Sequence, residues 1–501
     1  MNFGRVLVSL ALCLAAPALA QEAAEKKPAD KEAAPIPAPN VSVTRHRGTF
    51  NGRTIAYRAI AGETYLKDQD GNPTAAIFTT SYIADGLRDP TTRPVTFLFN
   101  GGPGSGSVWL HMGAFGPKRV AIPSDGTDDG APPYPIVHNP DALLDVTDIV
   151  FIDPVGTGFS HALGKTDPKD FWGVTKDAQS VAQFIRLWLN EHGRWNSPKF
   201  LGGESYGTTR SAAVVKELEG AYNDVSLNGV ILISTVLDFA AGADTQGNEL
   251  SPILNLPSMA ATALYHGKAQ GGSVEGFVEE ARQFAIGPYA AALLKGQRIG
   301  AEERASVRRE LSRFTGLSET YLDQAELRVE PARFYKELLR DRGLTVGRLD
   351  SRYTGRDYDR AGETPDNDPS FYGIDAGYTA AINAYMRGDL GVKTDRSYVT
   401  IGSVQPWDWK IEGGRDANAY LNFTPYLGRA MRENKDMRIF VGQGYYDFAT
   451  PFFAAEYALT RTGIPQDRIE YQYYGSGHMM YVRDEDRVKL SADVRRFIQQ
   501  R

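Results

Sequence analysis

The chain has 501 residues, of which 42% are hydrophobic and 11% aromatic, so it can bury a large core and is long for a single domain. Lysine and arginine total 55 against 61 aspartates and glutamates, and the net charge of -6 gives no general attraction to nucleic acid or anionic lipid. Cys13 is the only cysteine, so a chain that lost its first residues would have no disulfide, thiol nucleophile or thiolate metal site.

Residues 1–20 have the features of a secretory signal peptide. One early cation is followed by an apolar run too short to span a bilayer, and the run ends in Ala-Leu-Ala, which suits a cleavage site. A lipid anchor at Cys13 is the alternative, but Leu12 precedes it where a small residue is expected. Residues 21–40, rich in Ala, Pro, Lys and Glu, predict a flexible tether. We therefore expect export to a bacterial periplasm or the exterior, with no membrane span after cleavage.

Strand and helix patterns alternate after the tether. From about Val41, the runs RTIAYRAI and AAIFTTSYIA flank an Asp70-Gly71 turn and predict an antiparallel start. Buried-looking strands then alternate with amphipathic helices, which is typical of a mostly parallel sheet covered on both faces. The predicted strands lie at 95–99, 148–153, 199–203 and 229–234, and the predicted helices lie at 175–192 and 208–223. The fold class is α/β.

The middle of the chain has a different pattern, helical and irregular with few recognisable strands. Strands return at 437–442 and 468–475, and a helical pattern follows over 491–500. We interpret the middle as a mainly helical cap inserted into one sheet domain. The predicted parts are the first core segment at 41–238, the cap at 239–393 and the second core segment at 394–501.

The stretch GESYG at 203–207 fits the GxSxG nucleophile elbow. It follows the predicted strand KFLGG and precedes a helical run, so Ser205 would be exposed at a sharp bend. The helix N-terminus behind it favours negative charge developing nearby. An ordinary strand-to-helix turn without a catalytic role is the alternative.

A serine nucleophile at such an elbow needs an acid and then a histidine later in the chain. Only His266 and His478 follow Ser205, and His266 falls in the predicted cap. His478 lies in a glycine-rich turn after a predicted strand, where catalytic loops of α/β sheets are found, so we predict it as the base. Asp447 follows the strand MRIFVG and is the predicted acid, whereas Asp436 precedes that strand. The alternatives are a hydrogen-bonded loop histidine and a capping aspartate.

The loop NGGPG at 100–104 follows a predicted strand, and its glycines allow the backbone to approach a substrate closely. Backbone amides there can stabilise the oxyanion of a tetrahedral intermediate. No GKS or GKT follows, which excludes a phosphate-binding loop. A plain turn is the alternative.

Four motifs in this order resemble the serine carboxypeptidase family. They are NGGPG at 100–104, FIDPVGTGFS at 151–160, GESYG at 203–207, and the pair GYYDFATP and GSGHMMY near the C-terminus. The resemblance covers about residues 95–237 and 403–482, and it implies an α/β-hydrolase fold. It also implies the triad Ser205, Asp447 and His478.

The resemblance further implies that the amides of Gly102 and Tyr206 form the oxyanion hole. Asn100, the Gly101 amide and Glu204 would bind the C-terminal carboxylate of the substrate. A buried glutamate beside a substrate carboxylate must share one proton with it, so an acidic pH optimum is expected. A helix N-terminal charge is the alternative reading of Glu204.

The chain departs from the family pattern near the predicted carboxylate site. The family phrase ELGP is GAFGP here, with Ala114 in place of a second glutamate, and Ser105 replaces a usual cysteine. Arg348 or Arg352, in an arginine-rich stretch of the cap, could supply a cation instead, although we expect a solvated charged surface there. The Asp-rich TPDNDPS at 364–370 lacks the spacing of a calcium loop and predicts a turn.

Together these features predict an exported serine-type carboxypeptidase that releases C-terminal residues from peptides through an acyl-enzyme on Ser205. No metal or organic cofactor is required, nucleic acid is not an expected partner, and the sequence indicates no oligomeric state. A serine esterase or acyltransferase is the first alternative, favoured if Ala114 weakens carboxylate binding. A non-catalytic secreted binding protein on a hydrolase fold is the second.

Overall fold

The computed structural model describes residues 36–86, 88–219, 224–242, 245–411 and 420–500. The predicted signal peptide at 1–20 and the tether up to residue 35 lie outside the described residues. The strands are β1 (Val41–Phe50), β2 (Arg53–Lys67), β3 (Pro73–Ala84), β4 (Val95–Phe99), β5 (Lys118–Val120), β6 (Ile136–His138), β7 (Asp148–Asp153), β8 (His161–Ala162), β9 (Lys199–Ser205), β10 (Gly229–Thr235), β11 (Thr345–Val346), β12 (Thr354–Gly355), β13 (Arg438–Gly444) and β14 (Ile469–Tyr474).

A single large sheet organises the described chain. Its strand order is β1-β2-β3-β7-β4-β9-β10-β13-β14, with β8 pairing beside β3. Neighbouring strands in the order β1-β2-β3-β7 pair antiparallel, in agreement with the predicted antiparallel start. Neighbouring strands in the order β7-β4-β9-β10-β13-β14 pair parallel. This is the strand order of an α/β-hydrolase fold, which confirms the predicted class and places the carboxyl ends of β4, β9, β10 and β13 at one edge.

Helices cover both faces of the sheet. The α-helices are α1 (Val174–Glu191), α2 (Tyr206–Leu218), α3 (Leu250–Tyr265), α4 (Val274–Phe284), α5 (Ala290–Lys295), α6 (Ala301–Thr315), α7 (Glu319–Gln324), α8 (Pro331–Glu337), α9 (Pro369–Tyr372), α10 (Asp375–Gly388), α11 (Thr424–Glu433), α12 (Phe452–Leu459) and α13 (Asp484–Gln499). Side chains alternate along each strand, so Phe97 and Phe99 pack towards α1 and α2 while Leu98 packs towards α13. This two-sided burial explains why the central strands read as continuous apolar runs.

The helices between β10 and β13 divide among three apolar clusters, and α11 packs in the one that lies between the sheet and helices α1 and α2. Helices α3 to α8 pack around a cluster of their own, which also includes Tyr445 and Phe448 from the loop after β13. Helix α10 instead contributes Tyr378 and Ile382 to the cluster beneath the sheet. The chain from Ile36 onward forms one compact unit, so the predicted cap boundaries stay a prediction. Among the described helices, we find none with the length and apolar composition to cross a bilayer.

Candidate active site

Ser205 lies at the bend where β9 meets α2. Its backbone has φ 61° and ψ -131°, a conformation that costs a non-glycine residue of order 1–3 kcal/mol. A Cβ on Gly203 would lie 2.1 Å from the carbonyl oxygen of Gly207, so the turn closes only with glycine there. The strand-to-helix prediction therefore corresponds to a tight and strained turn that holds the serine at the edge of the sheet.

The predicted base and acid are hydrogen-bonded to each other. His478 Nδ1 lies 2.8 Å from Asp447 Oδ2, and both residues are buried. Asp447 is held in turn by Thr450, whose backbone amide donates to Oδ1 at 3.0 Å and whose hydroxyl donates to Oδ2 at 2.6 Å. Burial disfavours the imidazolium, but the neighbouring Asp447 carboxylate outweighs this and raises the pKa of His478 above 6.5.

Ser205 and His478 line the same cavity, which has a volume of about 740 Å³. Within the described chain, Ser205 Oγ makes no hydrogen bond, so the serine and the imidazole line one cavity without a hydrogen bond between them. Catalytic hydrogen bonds are often long without substrate and tighten in the complex. The structure thus brings the three predicted triad residues to one place, and their catalytic roles stay predictions.

The glycine-rich loop lines the same cavity as the serine. Asn100, Gly101, Gly102 and Tyr206 line the cavity together with Ser205. The Asn100 side chain is fixed at both ends, because its Nδ2 donates to Glu204 Oε1 at 2.8 Å and its Oδ1 accepts from the Leu110 amide at 3.0 Å. The predicted oxyanion and carboxylate-binding residues are therefore neighbours in the structure.

Glu204 is buried beside the serine, with 3% of its surface exposed. Its second oxygen, Oε2, accepts from the Tyr481 hydroxyl at 2.6 Å. Burial is the main reason that the pKa of Glu204 rises to about 7, although the hydrogen bonds from Tyr481 and Asn100 and the nearby His478 oppose the rise. Near neutral pH this side chain can therefore be protonated and donate a hydrogen bond to an anion.

The segment Arg348–Arg352, which we call the cap segment, lies across both catalytic loops. Four hydrogen bonds join it to them. The Ser351 amide donates to Tyr446 O (3.0 Å), and the loops donate back from Phe448 N to Arg348 O (3.1 Å), from Gly477 N to Asp350 Oδ2 (3.0 Å) and from His478 N to Leu349 O (2.6 Å). The contact is close, because a Cβ on Gly477 would lie 2.3 Å from Leu349 O. The loops that carry the acid and the base are thus held by a third part of the chain.

One expectation about the arginine-rich stretch is wrong. Arg352 is buried rather than solvated, and its guanidinium pairs with Asp350 at 2.6 Å. Burying the charge is tolerated because the carboxylate accepts from both Nε and Nη2 of the arginine. Arg348 is exposed, as expected, but it lines the cavity.

The remaining candidates lie outside the cavity wall. His266 Nε2 lies 2.7 Å from the Ser351 carbonyl oxygen, which supports the choice of His478 over His266 as base. Ala114 lies in a buried π-helix at Leu110–Phe115 and packs in the apolar cluster beneath the sheet. Neither residue is part of the described cavity lining.

Several supporting residues were not singled out from the sequence. Tyr481 and Thr450 stand in the quoted C-terminal motifs, but only the fold shows that they bond to Glu204 and to Asp447. Arg210, on α2 three residues after GESYG, donates to the Asn100 carbonyl at 2.5 Å and pairs with the buried Asp177 at 2.7 Å. Sequence spacing gave no signal for such contacts.

Residues 65–261 match the model of a family described as serine carboxypeptidase. Over these residues the chain is similar to the serine carboxypeptidase family. This segment includes Asn100, Glu204 and Ser205, whereas Asp447 and His478 lie beyond it. The assignment of the acid and base thus depends on the motifs and geometry above.

Two similar proteins come from Arabidopsis thaliana. Serine carboxypeptidase-like 20 is 28% identical over 165 residues, which cover 31% of this chain and 32% of that protein. Serine carboxypeptidase-like 16 is 28% identical over 165 residues, covering 32% of this chain and 37% of that protein. The chain thus matches about a third of the length of these curated relatives.

A solved structure with a similar fold is that of Kex1(delta)p, a prohormone-processing carboxypeptidase from Saccharomyces cerevisiae. The superposition covers 87% of this chain and 92% of that one, with 13% identity and a TM-score of 0.48.

Proposed function

We propose that this protein is a serine-type carboxypeptidase that releases C-terminal residues from peptides. The observation that carries the proposal is one cavity lined by Ser205, by His478 with its partner Asp447, and by Glu204 with Asn100. Ser205, His478 and Asp447 would carry out acyl transfer, and Glu204 and Asn100 would recognise a free carboxylate. The similarity of residues 65–261 to the serine carboxypeptidase family supports the same conclusion.

In the proposed reaction, Ser205 Oγ attacks the last peptide carbonyl while His478 accepts the hydroxyl proton. Asp447 holds the imidazole in the required tautomer and stabilises the imidazolium without taking the proton. The amides of Gly102 and Tyr206 stabilise the oxyanion. His478 then protonates the departing amine, and a water molecule hydrolyses the acyl-enzyme by the same proton transfers in reverse.

The carboxylate of the departing residue would be bound by Asn100, the Gly101 amide and Glu204. Two carboxylates side by side in a buried site cannot both be ionised without a large cost, so Glu204 is expected to hold a proton when substrate binds. Its raised pKa, about 7, makes this proton available in weakly acidic solution. A substrate without a free carboxylate cannot accept this hydrogen bond from Glu204 in the same way. It is disfavoured only to the extent that the hydrogen bond stabilises the bound free acid.

The test is Ser205→Ala with a pair of blocked dipeptides, one with a free C-terminus and one amidated. The variant should lose about 10⁵- to 10⁶-fold in turnover while keeping its fold, because the nucleophile is removed. The wild type should strongly prefer the free acid, and mass spectrometry of a peptide pool should show residues leaving singly from the carboxyl end. Near-normal hydrolysis by the variant would exclude the proposed nucleophile.

One observation favours the serine esterase or acyltransferase as a second candidate. Ala114 packs in the apolar core, so the described residues offer no second carboxyl group at the family position next to Glu204. Equal rates on free and amidated dipeptides, together with hydrolysis of simple esters, would favour this candidate. Failure of Ser205 to react with a fluorophosphonate probe would instead favour a non-catalytic binding protein.

We also propose that the protein is exported to the periplasm or the exterior of a bacterium. The support is the sequence of residues 1–20, which resembles a signal peptide with an Ala-Leu-Ala ending. N-terminal sequencing of the protein from fractionated cells tests this. A mature chain that begins after residue 20 in the periplasmic fraction supports export, and an intact N-terminus in the cytoplasm contradicts it.

A further inference from the structure

Arg348 has a fixed backbone at the wall of the cavity. Its amide donates to Asp368 Oδ1 at 3.0 Å, and its carbonyl oxygen accepts from the amide of Phe448, the residue after the acid. The next residue, Leu349, is held by Asp368 Oδ2 at 3.1 Å and by the His478 amide. The position of Arg348 is thus set by the same contacts that hold the acid and base loops.

The guanidinium of Arg348, by contrast, has no partner among the described residues. It is exposed, and no described side chain forms an ion pair or a hydrogen bond with it. Asp368, the acid that binds the Arg348 backbone, already accepts from two amides of the cap segment. It also accepts from Ser370, whose amide and hydroxyl both donate to Oδ1. Arg348 therefore lines the cavity beside Asp368, but no described carboxylate forms an ion pair with it.

Arg348 lies close to the base, because the carbonyl oxygen of the next residue, Leu349, accepts from the His478 amide at 2.6 Å. The positive charge of Arg348 acts on His478, where it opposes the rise in the pKa of the imidazole. In acyl transfer the histidine protonates the departing amine, so the departing residue must lie next to the imidazole.

We propose that Arg348 is a specificity-determining residue that binds the acidic side chain of the departing residue, so that peptides ending in glutamate or aspartate are preferred. This inference rests on the proposed carboxypeptidase function. Asn100 and Glu204 already provide a site for the C-terminal carboxylate, which leaves Arg348 for a second anionic group. Arginine suits this role because its planar fork binds a carboxylate through two parallel hydrogen bonds.

The experiment compares two blocked peptides that differ only in a C-terminal Glu or Gln. Both have the same C-terminal carboxylate and nearly the same shape, so the ratio of their kcat/KM values isolates the side-chain charge. The assay is run near pH 6, where a glutamate side chain with a pKa of about 4.3 is ionised. Arg348→Gln should lower the Glu-to-Gln ratio about tenfold, as expected for a charge-assisted hydrogen bond at a partly solvated site.

Two further variants complete the design. Arg348→Glu should lower the ratio further and raise kcat/KM for a Lys-ending peptide relative to the Gln-ending one. Arg309→Gln, on α6 and outside the described cavity lining, is the matched control and should leave the ratio unchanged. Rising ionic strength should lower the wild-type ratio, because an exposed cation is screened by salt.

The possible outcomes separate this inference from the proposed function. A wild type that releases Gln normally, with a ratio that Arg348→Gln does not change, overturns the role of Arg348 alone. An equal loss on both peptides also overturns it, because it indicates contact with the C-terminal carboxylate or a structural role. A wild type that releases neither residue from any peptide overturns both proposals.

Discussion

The nucleophile elbow and the acid–base loops are built by opposite means. At the elbow, β9, Ser205 and the start of α2 are consecutive, and the close approach of Gly203 to Gly207 involves residues four positions apart. The loops that carry Asp447 and His478 are held by the cap segment Arg348–Arg352, about a hundred residues earlier in the chain. One half of the site is local, and the other half depends on the whole fold.

This difference shows what each half requires of the chain. A local turn needs particular residue types at fixed spacings, so it has a recognisable motif. A long-range clamp needs only a backbone carbonyl or one carboxylate at the right place, and many sequences supply these. We therefore expect changes in the cap segment to disturb the base while leaving the elbow intact.

The largest effect should come from Asp447→Asn. The amide can no longer hold the imidazole tautomer in which His478 accepts the serine proton, so kcat should fall about 10⁴-fold. The substitution is nearly isosteric, and within the described chain no hydrogen bond joins Asp447 to the elbow. Turnover of the preferred peptide measures the effect, with thermal unfolding as a check of the fold. A loss below tenfold would mean that another residue is the acid.

Gly477→Ala should have the next largest effect. The new methyl group would lie 2.3 Å from Leu349 O and 2.5 Å from Asp350 Cα, so the base loop must move away from the cap segment. A displacement of about 1 Å at a catalytic group costs roughly 100-fold in turnover. The matched control at the elbow is Gly203→Ala, where the clash is equally close but local.

The effect of Gly477→Ala on the base can be measured as the rate of fluorophosphonate labelling of Ser205, which does not depend on peptide binding. Gly477→Ala should slow this labelling by impairing the base. It should lower the free energy of unfolding only moderately, by the roughly 1–3 kcal/mol typical of overpacking. Equal labelling rates in Gly477→Ala and the wild type would contradict the proposed dependence of the base on the cap segment.

A smaller loss is expected for Asp350→Asn. Asp350 accepts from the Gly477 amide and pairs with the buried Arg352, so the variant weakens the base loop and also leaves a buried cation without its partner. Activity should fall about tenfold, and the unfolding free energy should fall by about 3–5 kcal/mol, as for other broken buried pairs. The pH profile of kcat should shift, because the imidazole is less well positioned.

The double variant Asp350→Asn, Arg352→Gln is the control for that experiment. It removes the unpaired charge and should recover most of the stability. If activity recovers fully as well, the hydrogen bond to Gly477 does not position His478. If activity stays low while stability returns, the positioning role is supported.

The sequence predicted the parts of the molecule that depend on local patterns. The strands at 95–99 and 148–153 match β4 and β7 residue for residue, because their apolar runs are buried on both faces. The elbow and the antiparallel start were predicted for similar reasons. Arg352 was predicted wrongly because its partner Asp350 is revealed only when the cap segment folds back onto the base loop. No periodicity distinguishes a buried ion pair from a solvated one.

The smallest effect concerns Glu204, which belongs to the elbow but has a pKa that is raised by burial. In the wild type, KM for a free-acid peptide should rise as pH increases through about 7, because Glu204 loses its proton there and its charge then repels the substrate carboxylate. Glu204→Gln cannot ionise, so this rise should disappear.

The measurement is KM between about pH 5.5 and 8.5 for the free-acid peptide and its amide. Binding that requires the protonated form weakens up to tenfold for each pH unit above the pKa, so a change of several-fold between pH 7 and 8 is expected in the wild type alone. The amide lacks the charge and should show no such rise with either protein. If KM for the free acid stays constant with pH in the wild type, Glu204 does not bind the substrate carboxylate, and the local half of the site provides the nucleophile but not the specificity.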